Sequence, residues 1–237
     1  MNGFVILAAA LLPAVLLFFY IWKKDPQPEP TGQLVKAVLW GVAIIVPVSV
    51  VEGIIQAILF GGGQPSNLVG TTALAFLVAA LPEESFKLLA LWLVLRKNPY
   101  FDEHFDGIVY AVCVGLGFAA VENVSYVFGN IDDWMSVAAM RALLAVPGHY
   151  AFAVLMGYYY SVYHFVDRSP RTKVLILAVP VVAHGIYDAL CMSGMVSPVV
   201  GGLSTIVLLY FCVKMHKYAS KKVLAQIKRD KDDHLFV

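Results

Sequence analysis

Charge is what this sequence has least of. Asp, Glu, Lys and Arg make up 14% of its 237 residues and hydrophobic residues 60%, whereas an average soluble domain carries roughly 25% charged residues. That shortage argues against a soluble fold and points to a polytopic membrane protein. The net charge is +1 and no basic stripe runs along the chain, so nothing suggests a nucleic-acid partner. The three cysteines, Cys113, Cys191 and Cys212, show no CxxC or Cys/His spacing. They make neither a disulfide framework nor a thiolate zinc site and read as small buried hydrophobes. There is no linker, no internal repeat and no polar stretch long enough for a second folded unit. The first apolar run lacks a basic n-region and an A-x-A cleavage site, so it reads as a retained transmembrane helix rather than a signal peptide.

What the sequence has instead is long apolar runs. A span needs about 20 mostly apolar residues, and seven runs qualify: 2–22, 35–60, 68–95, 106–129, 136–166, 174–194 and 199–215. The expected fold is an all-α polytopic helix bundle of about seven spans. Residues 1–215 are expected to form one integral membrane domain and residues 216–237 a basic cytoplasmic tail. Lys23, Lys24, Arg96, Lys97, Arg168, Arg171 and Lys173 fall in alternate connectors, and Lys214, Lys217, Lys221, Lys222, Lys228, Arg229 and Lys231 follow the last span. The opposite connectors carry no lysine or arginine. By the positive-inside rule the N-terminus is outside and the C-terminus cytoplasmic. Lys36 flanks the second span at its cytoplasmic end; Lys87 and Arg141 fall within spans.

Ionisable groups in the hydrocarbon layer are costly and usually functional. Span 3 carries Glu83, Glu84 and Lys87, span 4 Glu122 and Asn123, span 5 Arg141 and His149, span 6 His184 and Asp188, and span 2 Glu52. Counted from the cytoplasmic ends at about 1.5 Å per residue, Glu83, Glu84, Glu122, His149 and Asp188 lie roughly 18–25 Å deep and His184 about 15 Å. Residues from four helices thus converge on one layer. Glu83 and Lys87 are i,i+4 and can pair; His184 and Asp188 are also i,i+4, so the carboxylate can orient the imidazole. Arg141 can offset one of the glutamates. Adjacent Glu83 and Glu84 point about 100° apart, a geometry that gives them different roles. Glu52 and Asn123 read as interhelical polar contacts, and Tyr158, Tyr159, Tyr160 and Tyr163 as an interfacial aromatic belt.

Carboxylates with histidines support general acid–base hydrolysis, metal-assisted hydrolysis, or a proton or cation pathway. No GxSxG and no HExxH occurs. A membrane peptidase, a proton- or metal-coupled transporter and a non-catalytic membrane binding protein are therefore all open, although the repeats typical of many transporters are missing.

Pro82-Glu83-Glu84-Ser85-Phe86-Lys87 resembles the EExxK signature of the PrsW family of bacterial intramembrane proteases. Gly117 through Asn123, Arg141 through His149, and His184 through Asp188 follow in the family's order, each in its own span. The family is more distantly similar to the CAAX prenyl endopeptidases, with EExxxR, FxxxH and HxxxN on successive helices. Here the arginine becomes Lys87, one residue earlier, the phenylalanine becomes Ala145 and the asparagine becomes Asp188. The resemblance implies a multi-pass protease of the bacterial cell membrane. Its expected substrate is a single-pass anti-sigma factor, cut near its extracytoplasmic side in a stress response. It also implies catalytic roles for Glu83, Glu84, His149, His184 and Asp188. Glu83 with His149 would activate water and His184 with Asp188 would serve the oxyanion region, supported by Lys87, Glu122, Asn123 and Arg141. An ionised Asp188 cannot donate to an oxyanion, so it must be protonated, orient His184 or ligate a metal. The distant relatives favour no cofactor. If zinc binds, the expected ligands are Glu84, His149 and His184.

Overall fold

The computed structural model describes residues 2–234; Met1 and residues 235–237 of the expected tail lie outside them. The chain is helical almost throughout: α1 (Gly3–Trp22), α2 (Thr31–Ala43), α3 (Ile45–Phe60), α4 (Leu68–Ala73), α5 (Leu81–Leu95), α6 (Asp106–Gly129), α7 (Trp134–Met140), α8 (Val146–Ser161), α9 (Pro170–Met192) and α10 (Pro198–His234). Among the described residues, six helical stretches are long and apolar enough to cross a membrane: Gly3–Trp22, Thr31–Phe60, Asp106–Gly129, Ile131–Val166, Pro170–Met195 and Pro198–Asp233. The expected all-α polytopic bundle is borne out. The seventh apolar run, 68–95, is also continuous helix, but Glu83, Glu84 and Lys87 in one turn set its composition apart from an ordinary span.

α6 is the hub. It is apolar on nearly every face, as befits a helix surrounded by others, and it packs against α1, α2, α5 and α8. Glycine lets its neighbours approach. A Cβ on Gly117 would sit 2.3 Å from the Val38 carbonyl oxygen, and one on Gly41 2.1 Å from that of Val114, so α2 and α6 touch backbone to backbone. Small residues at such crossings are how membrane helices gain contact without a hydrophobic drive. α1, α3 and the first half of α10 turn large apolar side chains outward, such as Phe4, Ile58 and Ile206, the composition expected of lipid-facing surface.

Two of the helices that carry charges are interrupted at matching places. A π-helical segment, Leu74–Ala80, runs into α5, and another, Arg141–Ala145, runs into α8. Each is followed at the second helical position by a proline, Pro82 and Pro147. Proline has no N–H for the carbonyl four residues back, and the wider π turn re-pairs the backbone there. π-bulges recur at functional sites; these two immediately precede Glu83-Glu84 and His149.

α10 does not stop at the membrane boundary expected near residue 215. It continues to His234, and Met215, Ala219, Val223, Gln226 and Asp230 form a buried stripe along it. Asp230 accepts hydrogen bonds from the backbone N–H groups of His104 (2.7 Å) and Phe105 (2.9 Å), so this part of the helix is docked on the turn leading into α6.

Candidate active site

The charged residues of four helices meet in one cluster. Lys87 on α5 lies at its centre, with Nζ 2.8 Å from Glu83 Oε2, 2.9 Å from Glu84 Oε1 and 3.2 Å from His149 Nδ1. The Phe118 ring covers the ammonium at 4.3 Å. An ammonium only donates, so Nδ1 of His149 accepts and its Nε2 carries the hydrogen. That hydrogen points at Glu122 Oε2, 2.8 Å away. The same oxygen accepts from Arg141 at 2.7 Å, while Arg141 Nε donates to Asn123 Oδ1 at 2.6 Å. Asn123 in turn donates to the Ala10 carbonyl, so its amide joins α1, α6 and the π turn, the interhelical role expected of it.

His184 on α9 completes the cluster. Its Nδ1 is 2.9 Å from Glu84 Oε1 and its Nε2 3.3 Å from Asp188 Oδ2. Phe152 stacks on the ring at 4.6 Å and His149 meets it edge-on at 5.4 Å. Phe118 and Phe152 thus clamp the two imidazoles. Neither had a role assigned from the sequence, although Phe118 lies one turn before Glu122 and Phe152 one turn after His149. All nine residues singled out as catalytic or supporting are in this network.

The two adjacent glutamates part company here. Glu83 lines a cavity of about 820 Å³ with Glu122, Arg141, His149, His184 and Asp188. Glu84 is wholly buried behind it, shared between Lys87 and His184. Glu52, read from sequence as a packing residue, also lines the cavity, and its one signal was its place within an apolar run. Beyond the cluster the cavity extends past Gln56 on α3 to Gln64 and Met195, in the connectors that carry no lysine or arginine.

Three donors in this group can hold a metal ion. One ligand atom each from Glu83, His149 and His184 lies within 4.8 Å of the others. The carboxylate of this set is Glu83 rather than the expected Glu84, because Glu84 is engaged behind the histidines. The donor chemistry fits. Two imidazoles and a carboxylate are a catalytic zinc set, and each imidazole has a nitrogen held by a carboxylate, Glu122 or Glu84, the outer support that metal-bound histidines use; His149 Nδ1 would exchange its hydrogen bond from Lys87 for the ion. Formal charge agrees: Glu83, Glu84, Glu122 and Asp188 outnumber Lys87 and Arg141 by two, a difference that one divalent cation or two histidine protons would close.

Comparison with known proteins gives this cluster its context. A family model described as "PrsW family intramembrane metalloprotease" matches residues 29–215. The chain belongs to the PrsW family. It is 34% identical over 188 residues to Protease PrsW of Bacillus subtilis (strain 168), covering 78% of this chain and 82% of that protein. It is 35% identical to Protease PrsW of Clostridioides difficile (strain 630), covering 77% of each, and 32% identical to that of Geobacillus kaustophilus (strain HTA426), covering 80% and 81%. No solved structure matches. As a PrsW protein the chain is an intramembrane protease, a multi-pass protein of a bacterial membrane. The transporter and non-catalytic readings give way to a peptidase, and the family description, a metalloprotease, sits with the ligand group just described.

Proposed function

We propose that this PrsW protease hydrolyses a peptide bond of a single-pass anti-sigma factor near its extracytoplasmic side. The observation that carries the proposal is the cavity, which runs from Glu83, His149 and His184 towards Gln64 and Met195. On the orientation read from the basic residues, those two lie outside. A substrate strand entering there reaches the cluster without crossing the bundle.

The cluster supplies a division of labour. Glu83, facing the cavity beside His149, takes a proton from water as it attacks the scissile carbonyl. Glu122 holds His149 in one tautomer, and Arg141 and Asn123 hold Glu122. His184, positioned by Glu84 and Asp188, faces the oxygen on which negative charge develops, where a preorganised donor is most effective. Lys87 keeps the two glutamates from repelling each other. When the C–N bond breaks, the proton held by Glu83 passes to the leaving amine. Glu83, His149 and His184 would also hold zinc, whose chemistry when bound is to acidify water and polarise a carbonyl.

Cleavage of a reconstituted anti-sigma factor by the purified protein in proteoliposomes tests this. Glu83→Gln is expected to lower the rate by about 10²–10⁴, the range of general acid–base catalysis, with an unchanged thermal midpoint. Wild-type rates from both Glu83→Gln and His149→Ala would defeat the assignment. Loss of cleavage with a chelator and recovery with zinc selects the metal form; indifference to both selects the glutamate form.

A further inference from the structure

Far from the active site, at the end of the bundle where connector 23–30 meets connector 96–105, a second group of acids is folded together. Glu29 and Asp106 are buried, Asp106 completely, and Asp102 is exposed beside them. One carboxylate oxygen from each lies within 4.8 Å of the others. Asp106 uses Oδ2 to accept the backbone N–H groups of Asp102 (3.1 Å) and Glu103 (2.7 Å). Its Oδ1 is buried with no hydrogen-bond partner. Glu29 Oε2 accepts from the Tyr110 hydroxyl at 2.5 Å. Asp25, also buried, has an unpartnered Oδ2. Among the described residues, no lysine, arginine or histidine forms an ion pair with Asp25, Glu29, Asp102 or Asp106. The one histidine nearby, His104, turns its ring to Asp233 instead.

A buried carboxylate oxygen with neither donor nor cation is expensive, and three acids converging on one point repel one another. Two things relieve this: protons shared between the acids, or a cation. Only carboxylate oxygens converge here, with no imidazole or thiolate, and such a set suits hard cations rather than zinc. Asp102 leaves the group an exposed side through which an ion can enter.

We propose that Glu29, Asp102 and Asp106 form a binding site for a hard divalent cation, Mg²⁺ or Ca²⁺, that fastens the α1–α2 connector to the start of α6. The bound ion would tie α2 to α6 at the end opposite the cavity mouth, so its removal loosens that end without touching the chemistry.

The test uses the full-length protein in detergent, stripped with a chelator and dialysed to pH 7.5. Adding Mg²⁺ or Ca²⁺ alone at millimolar concentration is expected to raise the thermal midpoint by several degrees, as binding to the folded state requires. Asp106→Asn and Glu29→Gln, which keep the hydrogen bonds to the backbone and Tyr110, are expected to lose that rise. His149→Ala, which lacks a member of the other ligand group, is expected to keep it. No rise in the wild type, a full rise in both acid variants, or loss of the rise in His149→Ala overturns the site. If the two amide variants are as stable as the wild type and indifferent to cations, and the wild type is indifferent too, a shared proton explains the group. Should the variants not fold, Tb³⁺ added to the stripped wild type reads the site directly. Tyrosine-sensitised emission displaced by Ca²⁺ is expected, and its absence overturns the proposal.

Discussion

Two groups of buried acids occupy this bundle, one at membrane depth and one at the connector end, and they differ in what surrounds them. At depth, Glu83 and Glu84 share Lys87, and Glu122 is held by Arg141 and His149. At the connector end, Asp25, Glu29, Asp102 and Asp106 have no basic partner among the described residues. The difference follows from access to water. Deep in the bilayer a charge must find its counter-charge within the bundle, on its own helix as for Lys87 with Glu83 and Glu84 or on a neighbouring one as for Arg141 with Glu122. Near the aqueous face protons and ions are at hand, so acids can gather without covalently attached partners.

The sharpest way to break the contrast is Lys87→Met. It leaves two carboxylates buried without their common cation, which costs on the order of 3–5 kcal/mol. Folded yield and thermal midpoint in detergent should both collapse; an unchanged midpoint would mean that the deep group, too, manages without an internal cation. Arg141→Lys is the next largest. Lysine lacks the planar fork that sets Nε on Asn123 and Nη2 on Glu122, so about 1.5–3 kcal/mol, the worth of a charged hydrogen bond, should be lost. Cleavage should fall with the fold retained, and equal cleavage would show that the fork is dispensable.

The connector end should respond to pH instead. The folded protein holds the Asp25 proton up to about pH 7, whereas an unfolded chain releases it near about 4. Between those values the fold binds more protons, so this contribution is complete below about 4 and is lost as pH rises towards 7. Thermal midpoints across that window should fall less steeply in Asp25→Asn than in the wild type. An identical slope would move the titration to another group. The smallest effect is expected for Lys222→Ala on α10, whose ammonium lies over the Tyr158 ring at 4.0 Å. A contact of this kind at a half-exposed site is worth about 0.5–1 kcal/mol.

Helices and membership of the deep cluster were legible because hydropathy and i,i+4 spacing act locally. Glu83 with Lys87 and His184 with Asp188 are paired as their spacing requires. The division between Glu83 and Glu84 was legible only as a difference in direction. Which one faces the cavity depends on how α5 is turned against α9 and the other helices around the cluster, and spacing along one helix does not give that. The carboxylate of the ligand group moved from Glu84 to Glu83 for that reason. The acids at the connector end were invisible because Glu29 and Asp102 are more than seventy positions apart, each in a connector where an acid is unremarkable alone. The docking of the basic C-terminal segment was hidden similarly: its lysines announce solvent, while the stripe through Ala219, Val223, Gln226 and Asp230 is too mixed to read as a buried face.

Asp230 holds the turn into α6 from 125 residues further along the chain. During synthesis the central helix therefore emerges long before the residue that secures its entry, and the protein is not fully braced until α10 has been made and folded back. A chain ended within α10, before Asp230, would retain every residue of the deep cluster and still lack that brace. Completion of the last helix is in this sense what secures the entry into the central one.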